Sequence, residues 1–176
     1  MPVLTEGVHP SEWHLDDASR RAARALAEGL EVGEGIGALV TSTEPKAVET
    51  AEEVAARWSA SGEEDDRLRE AVRPWIGPGY RAMAHRYLRG EALEDWEPHT
   101  EVASRVTAAV DDAVARSGGG AVVVVTHGLA LCLHLGDRLG SEFDRESFWS
   151  RLAFPDAWVL EPTGVLHRSR PSLSVS

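Results

Sequence analysis

The sequence predicts an α/β fold of three layers, a mostly parallel sheet with helices on both faces. Three observations predict it. Ala121 to Val125 contains four consecutive valines, breaks at Thr126-His127-Gly128, and is followed by leucines at 129, 131, 133, 135 and 139. β-Branched side chains suit a covered, pleated surface, so this reads as a strand buried on both faces that turns into an apolar helix. Ile36 to Val40 is a second short apolar run, which stops at Thr41-Ser42 and leads into a helix opened by Pro45. Strands alternate with helices along the chain, with no internal repeat, which is the pattern of parallel βαβ units.

In order, Met1 to His14 is irregular, with prolines at 2 and 10. Asp16-Asp17 is placed to cap a helix running to about Leu30, stopped by Gly33 and Gly35. After the Ile36–Val40 strand, Pro45 suits a first-turn position, and Ala47, Val48, Ala51, Val54 and Ala55 form the inward face of a helix ending near Trp58. Ser59 to Asp66 is polar and acidic and reads as a surface connection; Arg67 to Val72 reads as extended. Pro74 to Pro78 is turn-rich, Tyr80 to Leu88 a short helix, and Gly90 to Pro98 a loop. Thr100 is expected to cap a long helix with Val102, Val106, Ala109, Val110 and Val114 on one face. Beyond the His127 helix, Phe143, Phe148 and Trp149 mark a short aromatic helix. Residues 157–161 and 164–167 read as a hairpin at one sheet edge.

The chain has 176 residues, 43% of them hydrophobic, enough for one compact domain over residues 1–176. Residues 72–99 are expected to form an excursion capping the fold, and residues 168–176 a polar tail. A net charge of -11 argues against nucleic acid as a partner, since a basic patch is missing. It leaves room for a locally basic pocket. Nearly all basic residues are arginine, and Lys46 is the one lysine. A single cysteine, Cys132, excludes an internal disulfide and reads as a small core residue. No apolar run is long enough for a membrane span, and the N-terminus lacks a secretion-signal layout, so the expected location is cytoplasmic. The histidines show no paired zinc-site spacing, so no metal is expected. Nothing in the sequence specifies an oligomeric state.

His127 closes a strand at the end of the sheet where α/β proteins bind ligands, Gly128 permits close backbone approach, and the helix start beyond offers amides to an anion. A histidine there can equally serve only to hydrogen-bond a neighbouring loop. Three segments then stand in order: Ser42-Thr43-Glu44-Pro45-Lys46-Ala47-Val48-Glu49-Thr50-Ala51, Leu68-Arg69-Glu70, and Val124-Val125-Thr126-His127-Gly128. With Trp13-His14-Leu15, Phe148-Trp149 and Pro155-Asp156-Ala157-Trp158, this set resembles the histidine phosphatase superfamily, with its phosphoglycerate mutase-like fold, from Pro10 to Leu160.

The resemblance implies hydrolysis of a small phosphate ester through a phosphohistidine, without cofactor or metal. By motif, His127 matches the second histidine, Glu70 the acid and Lys46 the second phosphate arginine, with Ser42 and Gly128 lining the substrate site. Each has a plainer alternative: Glu70 as a solvated acid beside Arg67 and Arg69, Lys46 as a surface helix residue, Ser42 as a helix cap. Lysine also offers a point charge where arginine offers a planar fork. Trp75, Tyr80 and Trp96 either set substrate preference or pack the excursion.

The resemblance also exposes a departure. The family's nucleophile lies in Arg-His-Gly or Arg-His-Ala at the end of a first strand, and no such tripeptide occurs here. Three readings are open: a start codon placed too late, a truncation, or Val3-Leu4 with Thr5-Glu6 in place of Arg-His. The Pro2–Trp13 stretch, which fits the loop after that strand, favours the first. The expectations are a sheet missing an interior strand and a chain inactive as given. His9 and His14 lie in a loop that lacks preorganisation to substitute. The alternative is a non-catalytic module that binds a phosphate ligand.

Overall fold

The computed structural model describes residues 8–33 and 35–169. The Val3–Gly7 alternative and most of the expected tail lie outside the described residues. Three parallel strands form the main sheet in the order β2-β1-β3: β1 is Ile36–Thr41, β2 Gly62–Glu64 and β3 Ala121–Val125. Helices α1 (Asp17–Gly29) and α2 (Pro45–Trp58) cover one face; α3 (Tyr80–Leu88), α4 (His99–Arg116), α5 (Gly128–Leu139) and α6 (Arg145–Arg151) build the other side. The two-residue period of a strand divides the core. Leu39, Val123 and Val125 pack with Ala27 and Val54, whereas Val40, Val122 and Val124 join Val102, Val106, Leu129 and Leu133.

Several boundaries follow from local chemistry. The Asp16 carboxylate accepts from the Ser19 amide at 2.6 Å, and the Asp144 carboxylate accepts from Ser147 at 2.9 Å, so both helix starts are capped. Pro45 begins α2 as expected. Thr100 does not cap α4; the helix begins one residue earlier, behind Pro98, and Thr100 lies inside its first turn. The acidic connection at 59–66 contains β2, whose three exposed residues carry no hydrophobic period because backbone pairing with β1 alone makes the strand. Arg67 to Val72 is not extended throughout: Asp66–Leu68 is a 3-10 turn.

Among the described residues the main sheet ends at β3, and the two terminal strands stand apart from it. β1 and β3 pair directly, from Ile36 opposite Ala121 to Thr41 opposite Val125, so their facing amides and carbonyls are satisfied. The pairing shifts register between Ile36 and Ala38, at Gly37. A Cβ at Gly37 would stand 2.4 Å from the Ser117 carbonyl oxygen and 3.0 Å from the Gly120 Cα, so only glycine lets the 117–120 turn cross β1. β3 has a cluster on each face, but all five of its residues are only half-buried, and among the described residues it pairs with β1 alone at the sheet edge. The terminal hairpin, β4 (Trp158–Leu160) and β5 (Leu166–Arg168), forms a separate antiparallel sheet. Trp158 packs at a tilt against Phe148 of α6, 4.7 Å between centroids, which docks the hairpin on a helix.

The ends of the 72–97 segment are tied together. The Glu97 amide donates to the Val72 carbonyl at 2.8 Å, and the Val72 amide donates back to the Glu97 carboxylate at 3.0 Å. Among the described residues no helix is long and apolar enough to cross a membrane. Cys132 is buried in the core, and burial pushes its thiol pKa up.

His134, buried in α5, gives the fold a pH dependence. Burial, helped by Arg138, lowers its pKa from 6.5 to about 4, with Asp111 and Asp137 opposing. The unfolded chain takes up a proton near pH 6.5 that the folded chain refuses until about pH 4. Stability from this group is therefore constant above pH 6.5 and falls as the pH drops through that window, by ~3 kcal/mol at the lower end. Urea denaturation at pH 7 and pH 4.5 should show this loss, and His134→Gln should have a shallower slope; identical slopes would contradict it.

Candidate functional site

The site forms where the carboxyl ends of β1 and β3 meet. Ser42 follows β1, His127 follows β3, and the Ser42 amide donates to the Val125 carbonyl at 2.9 Å, which fixes the two corners side by side. The His127 ring Nε2 lies 2.8 Å from the Ser42 hydroxyl and 3.6 Å from a Glu44 carboxylate oxygen. The Lys46 ammonium, on the first turn of α2, pairs with the other Glu44 oxygen and donates to the Pro10 carbonyl at 2.7 Å. The Glu70 backbone amide donates to Glu44 at 2.8 Å. One buried carboxylate thus links His127, Lys46 and the Glu70 segment.

The Glu70 side chain points the other way, onto the start of α5. Its carboxylate accepts from the amides of Ala130 at 2.9 Å, Leu129 at 3.2 Å and its neighbour Ala71 at 3.0 Å. These are among the first amides of α5, which have no partner inside the helix, and His127 at the N-cap position makes no side-chain cap bond. Glu70→Ala would leave those amides unpaired and cost about 2 kcal/mol, whereas Glu70→Gln keeps one acceptor and should cost about half as much. Chemical denaturation of the two variants checks this ordering.

His127 and Glu44 are each 8% exposed. Burial lowers the His127 pKa, Glu44 and Glu70 pull it up, and burial prevails, so the imidazole is neutral near pH 7. Burial also works against the Glu44 carboxylate, but His127, Lys46 and the Glu70 amide overcome it and hold its pKa below the ordinary value. Glu44 is ionised and Lys46 is its closest charged partner.

Gly128 has a packing reason for its identity. A Cβ there would lie 3.0 Å from the Trp149 indole nitrogen and 3.4 Å from Phe154, so α6 and the following loop press against the corner. His14 is bound to Glu49 at 2.6 Å, and His9 to the Ser11 hydroxyl at 2.8 Å and the Arg73 carbonyl at 3.3 Å. Both serve the loop before α1. Among the described residues, no group of three or more histidine, cysteine or acidic side chains is disposed to hold a metal ion.

Two site residues were not singled out from sequence. Glu44 lay inside the motif but carried no separate signal; its position before Pro45, at the N-cap of α2, is where an acid meets the helix dipole. Arg105 is distant in sequence. From α4 its guanidinium donates to the carbonyls of Arg67 at 2.7 Å, Arg69 at 2.8 Å and Glu70 at 3.1 Å, and pairs with Glu97 at 2.8 and 2.9 Å. Its helical period alone gave no hint of this clamp.

The sequence profile of the histidine phosphatase superfamily (branch 1) matches residues 8–156, and the chain belongs to that superfamily. It is 34% identical over 126 residues to Uncharacterized protein Rv0525 of Mycobacterium tuberculosis (strain ATCC 25618 / H37Rv). That match spans 66% of this chain and 62% of the relative, less than two thirds of its length. Among solved structures, Bacillus stearothermophilus YhfR is similar with a TM-score of 0.68 at 24% identity, over 90% of this chain and 84% of that one. The mycobacterial glucosyl-3-phosphoglycerate phosphatase Rv2419c in complex with inorganic phosphate has a TM-score of 0.65 at 24% identity, over 86% and 81%. Phosphoglycerate mutase from Bacillus anthracis str. Sterne follows with 0.63 at 21%, over 89% and 81%. At these identities the likeness is one of fold: the mixed α/β layers and parallel sheet are shared.

Proposed function

We propose that this chain binds a small phosphate monoester between Lys46, Ser42 and His127, as a histidine phosphatase family module related to phosphomonoester hydrolases. The observation that supports this most is the Glu44 carboxylate. It lies between an ammonium, an imidazole and a backbone amide, a set of groups suited to an anion. Lys46 supplies the charge, Ser42 and neutral His127 supply hydrogen bonds, and the β1 and β3 corners preorganise them. A solved relative in fold is described in complex with inorganic phosphate, in keeping with a small phosphate ester as ligand.

Family chemistry passes the phosphoryl group to a histidine nitrogen and returns it to water, with a proton supplied to the departing ester oxygen. The 176 residues contain no Arg-His-Gly or Arg-His-Ala to provide that nitrogen. His9 and His14 are engaged elsewhere, and the Glu70 carboxylate is turned to the amides at the start of α5. We therefore assign residues 1–176 binding without turnover. Residues 72–99 are the cap of the site in this reading.

Calorimetry with p-nitrophenyl phosphate, alongside a hydrolysis assay, tests it. The expected result is saturable binding, at least tenfold weakened in His127→Ala, and no release of p-nitrophenol. Hydrolysis that survives His127→Ala would place the chemistry elsewhere.

A further inference from the structure

Both ends of the corner that holds Lys46 and His127 are joined to aromatic side chains. At the Lys46 end, the Lys46 backbone amide donates to the Trp13 carbonyl at 3.1 Å. The Trp13 ring meets Trp75 edge-on with centroids 5.3 Å apart, Trp75 meets Tyr80 at 5.8 Å, and Tyr80 meets Trp149 at 6.3 Å. At the His127 end, Trp149 and Phe154 both press against Gly128, the residue after His127. A row of rings therefore runs from one end of the corner to the other, each pair within the range of favourable ring contact.

The middle of the row is fixed by buried neighbours. The Arg73 guanidinium lies 4.2 Å from the Tyr80 ring centroid and 5.9 Å from that of Trp96. Arg73 is 8% exposed, and its Nε and Nη1 have no hydrogen-bond partner, so the ring faces are what hold its charge. Trp96 is buried and stacks on Tyr80. The ends of the row are open instead: Trp75 is 39% exposed and Phe154 55%. Large apolar side chains open to solvent beside a polar corner suit an apolar part of a ligand.

The charges nearby point the same way. Arg69 pairs with Asp66 at 2.8 Å and Arg105 with Glu97 at 2.8 Å, while Glu44 and Glu70 bring carboxylates to the corner. A ligand body with a second negative charge would meet like charges there.

We propose that the ester bound at Lys46 and His127 carries an uncharged aromatic body, so that the preferred class is an aryl phosphate, and that Phe154 holds that body. This deepens the reading of the corner as a phosphate seat and rests on it. Tyr80 and Trp96 pack the 72–99 segment. A flat ring has little conformational freedom to lose on binding and gains by covering an exposed aromatic side chain.

The test compares phenyl phosphate with glycerol 1-phosphate by calorimetry on the whole chain, two monoesters of like charge whose bodies differ in polarity. Phenyl phosphate is expected to bind at least tenfold tighter. The ratio of the two affinities should fall at least threefold in Phe154→Ala and be retained in Phe154→Tyr, which keeps the ring. Equal affinity of the unaltered protein for the two esters overturns the aryl preference and leaves the phosphate seat standing. A ratio undiminished in a folded Phe154→Ala, checked by near-ultraviolet circular dichroism, overturns the assignment of Phe154. If that variant does not fold, Phe154→Gln takes its place, and an undiminished ratio there overturns the assignment in the same way. Failure of both esters to bind sinks the phosphate seat and this proposal with it.

Discussion

Arg105→Ala should destabilise the protein by about 3–5 kcal/mol and weaken phosphate-ester binding with it. Arg105 and Glu97 are part-buried, with side chains 12% and 9% exposed, and their pairing is two-pronged. Removing the guanidinium strands the Glu97 carboxylate. Burial already works against that carboxylate, and Arg105, the Val72 amide and Arg69 are what hold its pKa low. The same change frees the carbonyls of Arg67, Arg69 and Glu70, so the segment that carries Glu70 loses its anchor to α4. Arg105→Lys can replace only part of this, since an ammonium cannot reach five acceptors in a plane. Urea denaturation of the three proteins measures the loss. A loss below about 1 kcal/mol in the alanine variant would show that the clamp is dispensable.

Glu44→Gln should tighten the binding of phosphate or p-nitrophenyl phosphate by roughly 10- to 100-fold. The carboxylate is ionised and buried against Lys46 and His127, which are the groups an incoming phosphate needs. A second anion brought to that corner meets a like charge where solvent screens little. Glutamine keeps an acceptor for the Glu70 amide and removes the charge, so it separates competition from architecture. The variant is expected to be less stable, because the Lys46 ion pair is lost, and its binding is measured well below its unfolding temperature. Unchanged or weaker affinity would mean that Glu44 orients Lys46 toward the ligand.

Much of the fold was legible because its signals are local. Pro45 at the start of α2, Asp16 before α1 and the apolar period of α5 act within a turn or two of chain. The order of Ser42, Lys46, Glu70 and His127 was legible too, as motif segments, and the structure brings Ser42 and His127 to 2.8 Å of each other. β2 was not legible, since three exposed polar residues become a strand only by pairing with β1. Nor was the direct pairing of β1 with β3, whose partners lie far apart along the chain.

The sequence by itself determined the layered α/β class, the helix boundaries set by caps and prolines, and the residue types at the strand-to-helix corners. Those depend on dihedral preferences and side-chain periods, which each short stretch carries within itself. Only the tertiary structure decided that Glu44 bridges His127 and Lys46, that Arg105 clamps the Glu70 segment from α4, and that Arg73 is buried with donors unmet. Hydrogen bonds and ion pairs act over a few ångströms in space, and their partners here lie tens of residues apart along the chain.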